Sequence, residues 1–141
     1  MGLLGKLFGG KEYPPLEPST PEGQRFEPYR EVATAFAARL HDKLEVVPST
    51  RALYAFIGNP PDAFGMAWFE GTEEHNLKTL MKAKGLTAAR VQQLSDELRR
   101  AYVRSAAEPR FAVQLGKKKV TVTPSTTLEQ ELVKIIHEAE H

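Results

Sequence analysis

The stretch that decides the fold is 52-ALYAFIGNPPDAFGMAWF-69. Two apolar runs, residues 52–57 and 64–69, flank Gly58-Asn59-Pro60-Pro61-Asp62. Aromatic and aliphatic residues dominate each run, and Gly, Asn, Pro and Asp between them mark a turn. The pattern predicts an antiparallel hairpin with a wide loop. Both runs are apolar at nearly every position, which implies strands covered on both faces or one face seated on a partner. Alternation puts Tyr54 and Phe56 on one face, with Trp68 sharing a face with Phe64 or Met66. Those rings are either core packing or an uncovered patch suited to self-association or peptide capture.

Upstream, residues 44–47 form a further short apolar piece closed by Pro48. Before it, Pro28 suits the first turn of a helix. Tyr29, Val32, Ala33, Phe36, Ala37 and Leu40 recur at helical spacing. Downstream, Thr72 followed by Glu73 and Glu74 reads as the start of a helix carrying Leu77, Leu80 and Met81. Gly85 ends that helix and Thr87 caps the next, whose stripe is Val91, Leu94 and Leu98. Residues 111–115 and 120–122 alternate about a Gly-Lys turn, the signature of a half-buried hairpin. Thr126 or Thr127 opens a last helix lined by Leu128, Leu132, Ile135 and Ile136.

The predicted order is α-β-β-β-α-α-β-β-α, an α+β domain with an antiparallel sheet of about five strands and helices packed on it. This order over residues 25–141 resembles the type III secretion chaperone-like fold. The resemblance implies a homodimer that holds an unfolded segment of another protein. Members of that family are often acidic, whereas this chain has balanced charge and a basic middle. Residues 12–24, with Pro14, Pro15, Pro18 and Pro21, read as an extended spacer between a flexible N-terminal segment and the domain. Within residues 1–11, Leu3, Leu4, Leu7 and Phe8 fall on one side of a short helix. That is either a contact for a membrane surface or a partner's groove, or a loose terminus.

Composition narrows the chemistry. The 141 residues include no cysteine, 19 Lys plus Arg and 18 Asp plus Glu, for a net charge of +1. Without thiols there is no disulfide, zinc ribbon, iron–sulfur cluster or cysteine nucleophile. No apolar run reaches the length of a membrane span. The sequence carries no Walker loop, dinucleotide fingerprint or nucleophile elbow, and points to no cofactor.

Charge is segregated along the chain. Residues 1–76 hold 7 basic and 11 acidic groups, residues 77–120 hold 11 and 3, and residues 121–141 hold 1 and 4. The basic middle is either a face for phosphates, anionic lipid or an acidic partner, or a solvated face met by the acidic ends of the same fold. Residues 77–98 resemble the helix-turn-helix of DNA-binding repressors. That resemblance implies Arg90 and Gln93 near base edges and Lys82, Lys84 and Arg100 on phosphates. The end of the chain, 137-HEAEH-141, matches the H-E-x-x-H pattern in which two histidines bind zinc and the glutamate is a general base. The same histidines also suit the negative pole of a helix as cations.

The leading expectation is a non-catalytic, cytoplasmic protein-binding domain that self-associates. Its contacts would be Leu3, Leu4, Leu7, Phe8, Tyr54, Phe56 and Trp68. A nucleic-acid-binding protein and a zinc-dependent hydrolase using His137 and His141 are the alternatives.

Overall fold

The computed structural model describes residues 13–141. The chain is α+β, with helices on both sides of one mixed sheet. Leu3, Leu4, Leu7 and Phe8, expected as contacts, lie outside the described residues.

The N-terminal elements are α1 (Pro21–Phe26), a 3-10 turn (Glu27–Tyr29) and α2 (Arg30–Arg39). The first three strands are β1 (Leu44–Pro48), β2 (Leu53–Gly58) and β3 (Phe64–Glu70). A fourth, β4 (Glu73–Asn76), leads into α3 (Leu77–Lys84) and α4 (Ala88–Arg104). The hairpin β5 (Phe111–Leu115) and β6 (Lys118–Val122) precedes α5 (Thr126–Glu140). The sheet order is β4-β3-β2-β1-β6-β5.

The sheet has six strands where about five were expected. Residues 73–76 extend the middle hairpin instead of opening a helix. Gly71, at φ +63°, makes the tight turn, and Glu70 pairs with Glu73 and Trp68 with His75. The cap of α3 moves to Asn76, whose side chain accepts from the Thr79 N–H while the Thr79 hydroxyl accepts from the Asn76 N–H. Two reciprocal hydrogen bonds satisfy two backbone donors there, a stronger start than a lone threonine offers. The sheet is also not wholly antiparallel, because β1 runs parallel to β6, with Glu45 opposite Thr121 and Val46 opposite Val122.

Residues 13–24 are not merely a spacer. The Leu16 N–H donates to the Ala112 carbonyl and the Ala112 N–H to the Pro14 carbonyl, each at 2.9 Å, and Leu16 is buried. Thr20 caps α1 by accepting from the Gly23 N–H, and Pro21 occupies the first turn, where its missing N–H is not needed. Gly23 is required by close approach, since a Cβ there would stand 2.0 Å from the Glu17 carbonyl oxygen. At the other end, Ser125 rather than Thr126 or Thr127 caps α5, accepting from the Leu128 N–H at 3.0 Å.

Strand alternation sorts the core into two halves. Leu44, Val46, Leu53, Ala55, Phe69, Val120 and Val122 face α1 and α2, where Phe26, Ala33 and Phe36 meet them. Val47, Tyr54, Phe56, Met66 and Trp68 face the opposite way, onto Leu80, Leu94, Leu98, Leu128, Leu132 and Ile136. The middle strands are therefore apolar on both sides because each side has its own helical layer. This corrects the expectation of an uncovered aromatic face. Tyr54 is 6% exposed, Phe56 0% and Trp68 2%. Among the described residues, only Val103 and Val133 are large apolar side chains left exposed.

Truncating a large ring at the centre of such a layer leaves a cavity. Phe56→Ala should lower stability by about 3–5 kcal/mol, read from the midpoint of urea unfolding at unchanged slope. A loss below about 1 kcal/mol would mean that Phe56 is not enclosed as described.

Candidate functional site

A cleft of about 190 Å³ opens where the β1–β2 turn, the end of β3 and one side of α5 meet. Its lining follows from two periodicities. Tyr54 and Trp68 are a directly opposed cross-strand pair, and Glu70 lies two residues beyond Trp68 on the same face. On α5, Glu129, Val133, Ile136, His137 and Glu140 recur at intervals of three and four, which puts them on one side of the helix. Arg51 and Ala52 contribute from the turn. The result is an aromatic and aliphatic wall with three carboxylates from two elements, beside the Arg51 guanidinium and the His137 imidazole.

The electrostatics of the cleft are recorded by Tyr54. Burial pushes its phenol up to about 12, and the negative charges of Glu140, Glu70 and Glu129 act in the same direction. All three carboxylates thus bear on one hydroxyl. Glu129 is also paired with Arg25 at 2.8 Å. Glu70 approaches His75, its Oε1 lying 3.0 Å from Nε2.

A second, larger cavity of about 340 Å³ is lined by Tyr13, Pro60, Pro61, Tyr102, Val103 and Arg110, among others. Two of its polar side chains, Tyr102 and Arg110, are engaged by groups behind its wall. Glu45 accepts from the Tyr102 hydroxyl at 2.7 Å, from Arg110 Nε at 2.9 Å and from the Thr123 hydroxyl. Arg110 also donates to the Ser105 carbonyl and to Ser105 Oγ, both at 2.8 Å. Burial and the neighbouring Glu45 charge raise Tyr102 well above an ordinary phenol. For Arg110, burial works against the charged form, but Glu45, Tyr102 and Tyr13 together outweigh it and the group is held more firmly protonated. With Tyr102 and Arg110 engaged in this way, size alone does not make it the better site.

Four of the eleven basic groups of residues 77–120 are paired with carboxylates of the same fold. Arg90 is half-buried and donates to Gln93 at 3.1 Å and Glu97 at 3.3 Å. Arg99 pairs with Asp96, Arg104 with Glu131 and Arg110 with Glu45. Lys82, Lys84, Gln93 and Arg100 are exposed. Helices α3 and α4 are joined through Gly85 in the left-handed conformation and capped at Thr87, as expected. α4 nevertheless runs for 17 residues and buries Leu94, Leu98 and Ala101. Its apolar face therefore serves the sheet side of this fold.

His137 and His141 stand at the exposed end of α5 with ring centroids 4.4 Å apart. Among the described residues, no third metal-binding side chain is grouped with them. The one such group of three is Glu70, Glu73 and His75 on the β3–β4 hairpin. No helix among the described residues is long and apolar enough to cross a membrane. No protein-family model matches the chain, nor does any curated protein or any solved structure.

Sequence reasoning singled out Tyr54, Trp68 and His137 but missed Glu70, Glu129 and Glu140, because the cleft joins elements some seventy residues apart. It also passed over Glu45, whose charge in the apolar run 44-LEVVP-48 is itself a signal of a buried partner.

Two outcomes follow. Arg110→Met leaves the Glu45 carboxylate without its countercharge and should cost about 3–5 kcal/mol in denaturant unfolding, most of it recovered when Glu45 is also made Leu. The folded chain holds the Tyr54 proton more tightly than an unfolded phenol does. That stability is fully present below about pH 10 and lost as pH rises through about 12. Tyr54→Phe should flatten the alkaline limb of the stability profile, and an unchanged limb would reject the assignment.

Proposed function

We propose that the chain is a non-catalytic protein-binding domain whose cleft between β2, β3 and α5 takes a basic side chain from a partner. The observation that carries this reading is that Glu70 of β3 and Glu140 of α5 line one cleft over Tyr54 and Trp68. A Lys or Arg side chain has an aliphatic stem and a cationic head. The stem suits the aromatic and Val133 wall, and the head suits the carboxylates. The volume of about 190 Å³ also fits one long side chain better than a cofactor, whose pockets usually run to about 300–1,000 Å³.

This shifts the expected protein-binding role from an apolar surface to a polar cleft. The buried state of Tyr54, Phe56 and Trp68 removes the ground for docking on an open aromatic face. The proposed recognition is electrostatic at its rim, so association should weaken with salt.

Trp68 is the single tryptophan of the chain and lines the cleft, so its fluorescence reports occupancy directly. Titration with lysine- or arginine-containing peptides should give a saturable change that matched norleucine or citrulline peptides do not. Glu70→Gln and Glu140→Gln should each weaken binding roughly tenfold. Equal responses to basic and neutral peptides, or no response to either, would overturn the reading.

A further inference from the structure

We infer that the β3–β4 hairpin is a binding site for a divalent first-row transition metal ion of the zinc class, held by Glu70, Glu73 and His75. The site goes beyond the cleft described above and shares only Glu70 with it.

The hairpin geometry brings the three side chains together. Glu70 and Glu73 are directly opposed across the turn made by Gly71 and Thr72, so they project to one face. His75 lies two residues after Glu73 on the same face, opposite Trp68. One ligand atom from each of the three lies within 4.8 Å of the others. His75 Nε2 is 3.0 Å from Glu70 Oε1 and 2.9 Å from Glu73 Oε1.

The state of that nitrogen is informative. Nε2 is shielded from solvent yet makes no hydrogen bond. Both carboxylate oxygens are within ion-pair distance, but neither completes a hydrogen bond with it. Donor atoms each ~2.1 Å from one tetrahedral ion stand ~3.4 Å apart, so the 3.0 and 2.9 Å spacings about Nε2 need open by only a few tenths of an ångström to admit one. A shielded imidazole nitrogen without a hydrogen bond, with a carboxylate oxygen from each of two glutamates within 3.0 Å, has the donor set of a metal site.

The imidazole is also fixed. Its ring stacks on Trp68, with centroids 5.9 Å apart and planes 21° from parallel, and Trp68 is itself buried. Glu74, between the two β4 ligands, points to the other face and pairs with Arg39 at 2.7 Å. The strand is thus held from both sides. One nitrogen and two oxygens favour zinc and its first-row neighbours over calcium, which prefers oxygen alone. Glu70 and Glu73 are exposed, so water has access to complete the coordination.

The test is calorimetric titration of the untagged full chain with zinc after treatment with a chelator, with calcium as the contrast. One equivalent of zinc should bind, calcium should not, and zinc should raise the melting temperature by mass action. Cobalt or copper should quench Trp68 fluorescence through the stacked His75. Glu73→Gln and His75→Gln should each weaken zinc binding about tenfold or more. Glu73 is an exposed hairpin residue, so the first variant reports even if the second folds poorly. The double variant His137→Ala, His141→Ala should bind zinc as the parent does. Absence of saturable zinc binding would overturn the inference, as would binding that survives Glu73→Gln or that is lost only in the double variant. Neither Glu73 nor His75 lines the cleft, and the peptide titration is run with chelator present. Failure here with the peptide response intact therefore rejects the metal site alone.

Discussion

Strand β1 is hidden on both faces, and its single charged side chain has to be neutralised where it lies. Glu45 is 8% exposed, as is its partner Arg110. The carboxylate collects a guanidinium from the residue before β5, a phenol from α4 and a hydroxyl from the residue after β6. These three groups lie 57, 65 and 78 residues after Glu45 in the chain. Meeting one buried charge therefore fixes where the second half of the fold sits against the first. A buried ion pair is weak evidence for added stability, but an unpartnered one is severely unfavourable, so arrangements that leave Glu45 alone are excluded.

Around that anchor the two helical layers divide the work. The α1–α2 layer is short and relies on Phe26, Phe36 and small alanines to sit close to the sheet. The α3–α5 layer is larger and encloses the aromatic side of β2 and β3. The sheet between them is apolar in both directions at its centre and polar at its margin, where β4 reads Glu-Glu-His-Asn. That gradient leaves the ionisable groups of the cleft and the hairpin at one end of the molecule.

Much of this was legible in residue order. The runs about Gly58 to Asp62, the corner at Gly85 and Thr87, and the alternation of Phe111, Val113 and Leu115 all correspond to observed elements. What was not legible is physically consistent. Thr72-Glu73-Glu74 has the composition of a helix start, but tertiary pairing with β3 outweighed that local preference. Proline-rich residues 14–21 look like a spacer, yet two backbone hydrogen bonds to Ala112 and burial of Leu16 hold them down. Pattern alone also cannot say how many helices cover a strand, so Tyr54, Phe56 and Trp68 read as core or as patch. The carboxylates of the cleft were invisible because no local spacing links Glu70 to Glu140. The hairpin ligands sit close in sequence, but their meeting depends on a strand that the pattern did not reveal.

The two margins of the sheet are closed by different means. Beyond β5, residues 14–16 supply the outermost backbone pairing, and Pro14 and Pro15 lack the N–H groups that a further strand would need. Beyond β4, the four-residue strand carries two carboxylates and an imidazole. A newcomer chain trying to extend the ladder would find missing donors on one flank and crowded charge on the other. The architecture thus guards against runaway polymerisation into fibrils even though its interior strands are among the stickiest segments of the polypeptide.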